Sequence, residues 1–332
     1  MLDHFYKNKR VFVTGAAGFI GSHLVEELVK AGAKVTALVH YNSASAIGNL
    51  QYLDKAVLKE VRVEFGDVTD GYQMITLTKN QDVVFHLAAL IGIPYSYVAP
   101  VAYVATNING TLNMLEAARI NGVEKIVVTS TSETYGTAVY APIDEKHPLQ
   151  GQSPYSATKI GADKIAESYH LSFGLPVCVF RPFNTYGPRQ SMRAVIPTII
   201  NQALHSREIK LGSLTPVRDM LFVKDTAKGF MLAGATKEAA GEVISVGTGV
   251  GLTIAEIVTL IQQLLGSDKP VIEDGSRIRP EKSEVFKLIC DNRKAKALLN
   301  WQPGYTLAQG LELCIDFVKS NPNLYSVDKY VI

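Results

Sequence analysis

Through the first half of the chain, short apolar runs alternate with stretches whose apolar residues recur every three or four positions. Arg10-Val11-Phe12-Val13-Thr14 reads as a buried strand. Gly15-Ala16-Ala17-Gly18-Phe19-Ile20-Gly21 follows, and Ile20, Leu24 and Leu28 then mark one face of a helix that Gly32 stops. The strand signature returns at Lys34 to Val39, Val61 to Phe65, Asp82 to Leu87 and Lys125 to Thr129. A helix of about 20 residues, near Val101 to Asn121 and ending before Gly122, separates the last two. Strands alternating with helices across short connections predict an α/β fold, a Rossmann-type doubly wound parallel sheet. Such sheets bind ligands at the carboxyl ends of their strands. Gly15, Asp67, Ala88 and Thr131 all fall at such ends.

The pattern changes after a strand at Val177 to Arg181. Pro182, Pro188, Pro197 and Pro216 break up the segment, while aromatics and arginines collect around Arg181 to Arg189 and Val217 to Phe222. This predicts a dinucleotide-binding domain over residues 1–178 and a smaller C-terminal substrate lobe over 179–332. Glu242 to Val246 reads as one strand returned to the main sheet. Thr253…Glu256 and Thr306…Gln309 are capping boxes that open two later helices.

Composition narrows the function classes. With 332 residues, 47% hydrophobic and 19% charged, the chain describes a folded globular protein. Lys+Arg 33 against Asp+Glu 31 argues against nucleic acid as the main partner, leaving a local basic cleft open. Cys178, Cys290 and Cys314 are distant and odd in number, as buried free thiols in a reducing compartment would be, and no metal-ligand spacing is present. Between Asp82 and Glu116 the only ionisable groups are His86 and three tyrosines, yet Gly92, Pro94 and Pro100 interrupt the stretch. It reads as strand, loop and apolar helix rather than a membrane span. The charged N-terminus lacks a signal-peptide core, so a soluble, cytoplasmic protein without membrane partners is expected.

The chemistry concentrates between Val127 and Lys159. The glycine turn lets backbone approach a pyrophosphate at a helix N-terminus. Ser153 is a good N-cap and Pro154 suits the first helical position, so a helix should begin there with Tyr155 and Lys159 on one face. A phenol and an ammonium beside the hydroxyls and carboxylate of Thr131-Ser132-Glu133 form a proton-transfer constellation. Tyr-x-x-x-Lys alone is weak, because with 15 tyrosines about one such pair is expected by chance. The second pair, Tyr325…Lys329, reads as that coincidence, in a polar tail beyond the last helix.

Together the glycine turn, Tyr155…Lys159 and Arg181-Pro182-Phe183-Asn184-Thr185-Tyr186-Gly187-Pro188 resemble the extended short-chain dehydrogenase/reductases that modify nucleotide sugars. The resemblance runs from Val11 to about Leu313. Within that superfamily, Ala89 to Tyr97, Gln152 to Tyr155, Gly187 to Ser191 and Arg193 to Pro197 resemble the 4,6-dehydratases of bacterial legionaminic and pseudaminic (nonulosonic) acid pathways. The resemblance implies a nucleotide-linked N-acetylglucosamine as substrate, UDP- or GDP-bound, a 4-keto-6-deoxy product or a released 5,6-ene, and a homodimer with a four-helix interface.

It also implies roles for residues. Tyr155, supported by Lys159 and Thr131, would take the C4 hydroxyl proton as hydride leaves C4. Glu133 would take the C5 proton. Better-known dehydratases carry Asp where this chain has Ser132, so the acid that protonates the leaving hydroxyl is open. Thr-Ser-Glu also occurs in nucleotide-sugar glucuronate decarboxylases, which leaves decarboxylation as an alternative and 4-epimerisation behind it. Gly15, Gly18, Phe19, Ile20, Gly21, Asp67, Val68, Leu87, Ala88 and Ala89 are expected along the cofactor. No acid follows the second strand at His40, Asn42 and Ser43, so the cofactor reads as NADP or NAD, with a lean towards NADP. Arg218 and Arg279 match positions that grip the nucleotide diphosphate, with Asn184, Arg193 and Val195 nearby.

Overall fold

The structure, a computed structural model, describes residues 2–277 and 283–325. Seven parallel strands form the main sheet: β1 (Arg10–Thr14), β2 (Lys34–His40), β3 (Val61–Gly66), β4 (Val83–His86), β5 (Lys125–Thr129), β6 (Val177–Pro182) and β10 (Val243–Val246). Their spatial order is β3-β2-β1-β4-β5-β6-β10. The order reverses between β1 and β4, which opens a crevice at their carboxyl ends. The late strand does return to this sheet, as its apolar run at Val243–Val246 suggested.

Alternation along the strands feeds two cores. Val11 and Val13 join the cluster with Leu24, Leu28, Phe85, Phe230 and Trp301. Phe12 joins the opposite one with Val84, Met114, Leu115, Ile126 and Val128. Both faces are covered, so these strands read as continuous apolar runs. The Val223–Ala235 helix supplies Phe230, Met231 and Ala233 to the first core, and the Trp301 indole donates to Asp225 O at 3.0 Å.

A separate core is centred on Ile196, Ile199, Phe222, Ile257, Leu311 and Ile315, while Phe230, Ile244, Leu299 and Trp301 of the same C-terminal segment pack into the main-sheet core. Among the described residues the strands outside the main sheet are β7 (Asn184–Tyr186), β8 (Ile209–Leu211), β9 (Val217–Phe222), β11 (Gly251–Thr253), β12 (Val271–Glu273) and β13 (Lys287–Leu288). β9 pairs with β7, β11 and β13, while β8 pairs with β12. Both capping boxes close as written, at Thr253/Glu256 and Thr306/Gln309.

Two readings need correction. The long helix before Gly122 is not uniform: Pro100–Tyr103 runs into a π-helical turn at Val104–Asn109 before Gly110–Ile120 resumes α geometry. Tyr325 is not in a solvated tail. It is 3% exposed, belongs to the second core and donates to Gln190 O at 3.1 Å. Lys329, its sequence partner, lies outside the described residues. Among the described residues no helix is long and apolar enough to cross a membrane.

Candidate active site

At the end of β5 the chain turns tightly. Thr131 Oγ1 accepts from Glu133 N at 3.3 Å, and Thr134 Oγ1 donates to Thr131 O at 2.7 Å, closing the 3-10 turn Ser132–Tyr135. The turn buries Ser132 and leaves Glu133 half-buried. Opposite it, the Pro154–Phe173 helix opens with a reciprocal cap: Ser153 Oγ accepts from Ser156 N at 3.1 Å, and Ser156 Oγ accepts from Ser153 N at 3.0 Å. This fixes the first turn and sets Tyr155 and Lys159 towards β5. Lys159 Nζ donates to Thr129 O, while the Thr131 side chain lies near enough to the Tyr155 phenol to favour its ionised form.

Burial dominates the electrostatics here. It pushes the Tyr155 phenol well above its ordinary range, and the Glu133 carboxylate adds to this while Thr131 opposes it. Burial lowers the Lys159 ammonium and Asp163 raises it. The protein alone therefore holds Tyr155 as a phenol, and a further positive charge at the site is needed to make it a base.

Several supporting residues carried no sequence signal as site residues. Tyr103 packs edge-on against Tyr155, ring centroids 6.3 Å apart, and its hydroxyl donates to Gly92 O. Asn107, within the π turn, clamps Leu90 through both backbone groups at 2.8 and 3.0 Å and donates to Thr158 Oγ1 at 3.1 Å. A π turn redirects side chains without ending a helix, and hydrophobic periodicity does not announce it. His86 lies buried between Thr14 Oγ1 at 2.8 Å and Thr111 Oγ1 at 3.1 Å. Burial lowers its pKa to about 3, so it stays neutral.

The residues expected along a dinucleotide gather at the crevice. Gly15 has φ +67, and a Cβ there would lie 2.7 Å from backbone atoms of Leu87 and Ala88. A Cβ on Gly21 would strike the Gly15 carbonyl. The Phe19–Lys30 helix starts at Gly18 without a side-chain cap, so its first amides stay available to an anion. Leu87 N and Ala88 N both donate to Thr14 Oγ1, at 3.2 and 3.1 Å, which sets the loop leading to Ala89. Val68 is buried behind this edge, and Phe19 and Ile20 pack onto the second core. These features fit a dinucleotide.

The outer edge is less suited to a 2′-phosphate. His40 Nδ1 sits 3.5 Å from Asp67 Oδ2, so a carboxylate already occupies that corner. Asn42 spends its amide on its own loop, donating to His40 O at 3.2 Å and Ala46 O at 2.9 Å. Ser43 is exposed.

The described residues enclose a cleft of about 600 Å³. Glu133, Asn184, Arg193, Val195 and Arg218 all line it. Arg279 lies outside the described residues. Arg218 Nη2 meets Glu284 Oε1 at 3.3 Å, and Arg277 adds a third guanidinium that the sequence reading missed. Arg193 reaches towards the chemistry: a methyl at Gly92 would come within 3.4 Å of its guanidinium, which also bears on Tyr103. Asn184 Oδ1 and Gln190 Oε1 are buried acceptors without a partner among the described residues. Burying them unpaired is costly, so a donor-bearing ligand is expected to meet them. Among the described residues no group of His, Cys, Asp and Glu could hold a metal.

The family described as GDP-mannose 4,6 dehydratase matches residues 12–314. A dTDP-glucose 4,6-dehydratase of Streptomyces antibioticus is 33% identical over 94% of this chain and 92% of its own length. A UDP-glucuronic acid 4-epimerase from Bacillus cereus, solved with UDP-glucuronic acid and NAD, has TM-score 0.85 at 30% identity, covering 94% of this chain and 99% of that one. A dTDP-glucose 4,6-dehydratase from Streptomyces venezuelae, solved with NAD bound, has TM-score 0.81 at 30% identity, covering 95% and 98%. Both dehydratases and epimerases stand among these relatives at 30–33% identity, so overall similarity does not choose between them.

Proposed function

The chain belongs to the GDP-mannose 4,6 dehydratase family of NAD-dependent nucleotide-sugar dehydratases and epimerases, and from that premise we propose that it is a nucleotide-sugar 4,6-dehydratase. Its substrate on this reading is UDP- or GDP-linked N-acetylglucosamine, and its product a 4-keto-6-deoxy sugar of the kind used for nonulosonic acids. The observation that carries the choice is Glu133, a carboxylate on the cleft wall whose backbone is tied to the turn that touches Tyr155. An epimerase needs only to remove and return the C4 hydrogen; a dehydratase also needs a base for C5.

Bound nicotinamide dinucleotide supplies the hydride acceptor and donor, and its positive ring favours a phenolate. Tyr155 accepts the C4 hydroxyl proton, with Thr131 sharing the hydrogen bond and Lys159 adding charge beneath. Glu133 takes the C5 proton, which the adjacent C4 ketone has acidified. Ser132 is buried and a hydroxyl is a poor acid. Glu284, the other carboxylate among the described cleft residues, is engaged by Arg218. Glu133 therefore also returns its proton to the departing C6 hydroxyl, and the balance closes with hydride delivered to C6 and a solvent-derived proton to C5. Arg218, Arg279 and Asn184 hold the diphosphate, with Arg193 and Val195 nearer the sugar.

The cofactor on this reading is NAD. The NADP expectation is not carried further, because Asp67 beside His40 would repel a 2′-phosphate and Asn42 is already committed to its loop. Exposed Val101, Val104 and Leu112 share one helical face, and we assign that face to a homodimer contact.

The second reading, 4-epimerisation, is favoured by Ser132 standing where an acid would serve elimination. Incubation with UDP- and GDP-N-acetylglucosamine and UDP-glucuronate in heavy water, read by mass spectrometry, separates the cases. Loss of water with deuterium at C5 supports the dehydratase. Loss of carbon dioxide indicates a decarboxylase, and unchanged mass with a new epimer overturns the proposal.

A further inference from the structure

One helical turn beyond Lys159, on the same buried face, lies Asp163, which is 0% exposed. Lys159 Nζ meets Thr129 O and Asp163 Oδ2 meets Ser130 Oγ at 2.6 Å, so the two side chains reach consecutive residues at the end of β5. Oδ2 also receives the Arg181 guanidinium at 2.7 Å, while Oδ1 is buried with no hydrogen-bond partner among the described residues. Arg181 is 2% exposed, stacks over the Tyr135 ring at 4.6 Å and donates to Ser130 Oγ at 3.1 Å. A carboxylate this deep survives only if its surroundings neutralise it.

We infer that Asp163 is the counter-ion of Lys159, a positioning residue that keeps the ammonium charged beneath Tyr155 while Arg181 locks the carboxylate in place. The inference rests on Tyr155 and Lys159 acting as proposed above. Two buried cations, Lys159 and Arg181, flank one buried anion, leaving one excess positive charge under the phenol. Ionisation of Tyr155 cancels that excess. The other groups nearby do not replace Asp163. His86, across β4, is neutral; Tyr135 is held above its ordinary range by burial; Glu133 bears on Tyr155 from the cleft side. Asp163 also raises the Tyr155 phenol directly, so its removal has opposed effects on that residue. On Lys159 the sign is single: removing the negative charge lets burial discharge the ammonium at lower pH.

The test uses the NAD-loaded enzyme and Asp163→Asn. The alkaline limb of the pH–rate profile, where Lys159 loses its proton, should fall by about 1 to 2 pH units, with KM for the sugar nucleotide unchanged. Asp163→Glu should restore the limb. Nitrogen NMR of Lys159 Nζ, assigned by its loss in Lys159→Arg, should show the same fall with no sugar nucleotide present. Should Asp163→Asn fail to fold, Asp163→Ser, which also removes the negative charge and leaves Arg181 in place, is read instead. A folded variant whose Lys159 titrates as in the wild type overturns the inference. Absence of turnover on every sugar nucleotide would instead sink the proposed function, and the NMR titration would still judge the counter-ion.

Discussion

Replacing Glu133 by Gln separates the two halves of the proposed reaction. Glutamine keeps the shape, and the Thr131 Oγ1 to residue 133 N bond at 3.3 Å does not depend on the side chain. Residue 133 is half-buried on an open cleft, so stability should change by no more than about 0.5 kcal/mol. The chemistry should suffer far more. Loss of a positioned general base costs roughly 10²–10⁴ in rate, which is about 2.7–5.4 kcal/mol of barrier. The C4 oxidation, assigned to Tyr155, should survive. Mixed with substrate in a single turnover, Glu133→Gln should therefore accumulate reduced nicotinamide absorbance that decays slowly, without deuterium entering C5 from heavy water. Dehydration at the wild-type rate would refute the reasoning and move the base elsewhere on the cleft wall, with Glu284 the first candidate. Equal loss of oxidation and elimination would show that Glu133 is not confined to the second half.

Tyr155→Phe should lower turnover by roughly 10²–10⁴ while leaving cofactor binding intact, measured by steady-state assay and fluorescence titration; full turnover would sink every enzymatic reading here. Val104→Glu places a charge on the exposed apolar face at Val101, Val104 and Leu112 and should convert a dimer to monomer in light scattering; an unchanged mass would dismiss that contact. The buried His86 and His23 are held neutral, with pKa lowered to about 3 and about 4. Both titrate near 6.5 in the unfolded chain, which therefore binds more protons below that pH, so their contribution is complete above about 6.5 and is lost as pH falls. Stability should drop by several kcal/mol, to order of magnitude, between about pH 6.5 and 4 in calorimetry; a flat profile there would contradict the burial argument.

Much of this was legible without coordinates because the signals are local. Apolar runs followed by amphipathic helices specified the parallel sheet, and Ser153-Pro154 announced the helix that carries Tyr155 and Lys159. The signals failed where meaning depended on a distant neighbour. Tyr325 looked solvated because polar residues follow it, yet it closes the second core. Asn42 stands where no acid follows the second strand, and only the structure shows its amide spent on its own loop. Asp163 was a lone acid between Ala162 and Ala166 on a helix, and Arg181 a lone cation in an apolar strand. Each is a warning of a buried charge, and neither names its partner.

The sequence by itself determined the glycine turn, the order of elements and the placing of Tyr155 and Lys159 on one capped helix, because backbone φ, helix capping and strand alternation are set within a few residues of each position. Only the tertiary structure decided which charges face one another. It paired Asp163 with Arg181 beneath Lys159, set Asp67 against His40, and brought Glu133, Arg193 and Arg218 to one cleft from three separate segments. Coulomb interactions act through space rather than along the chain, and burial removes the water that would screen them, so their partners and strength exist only once the chain has packed.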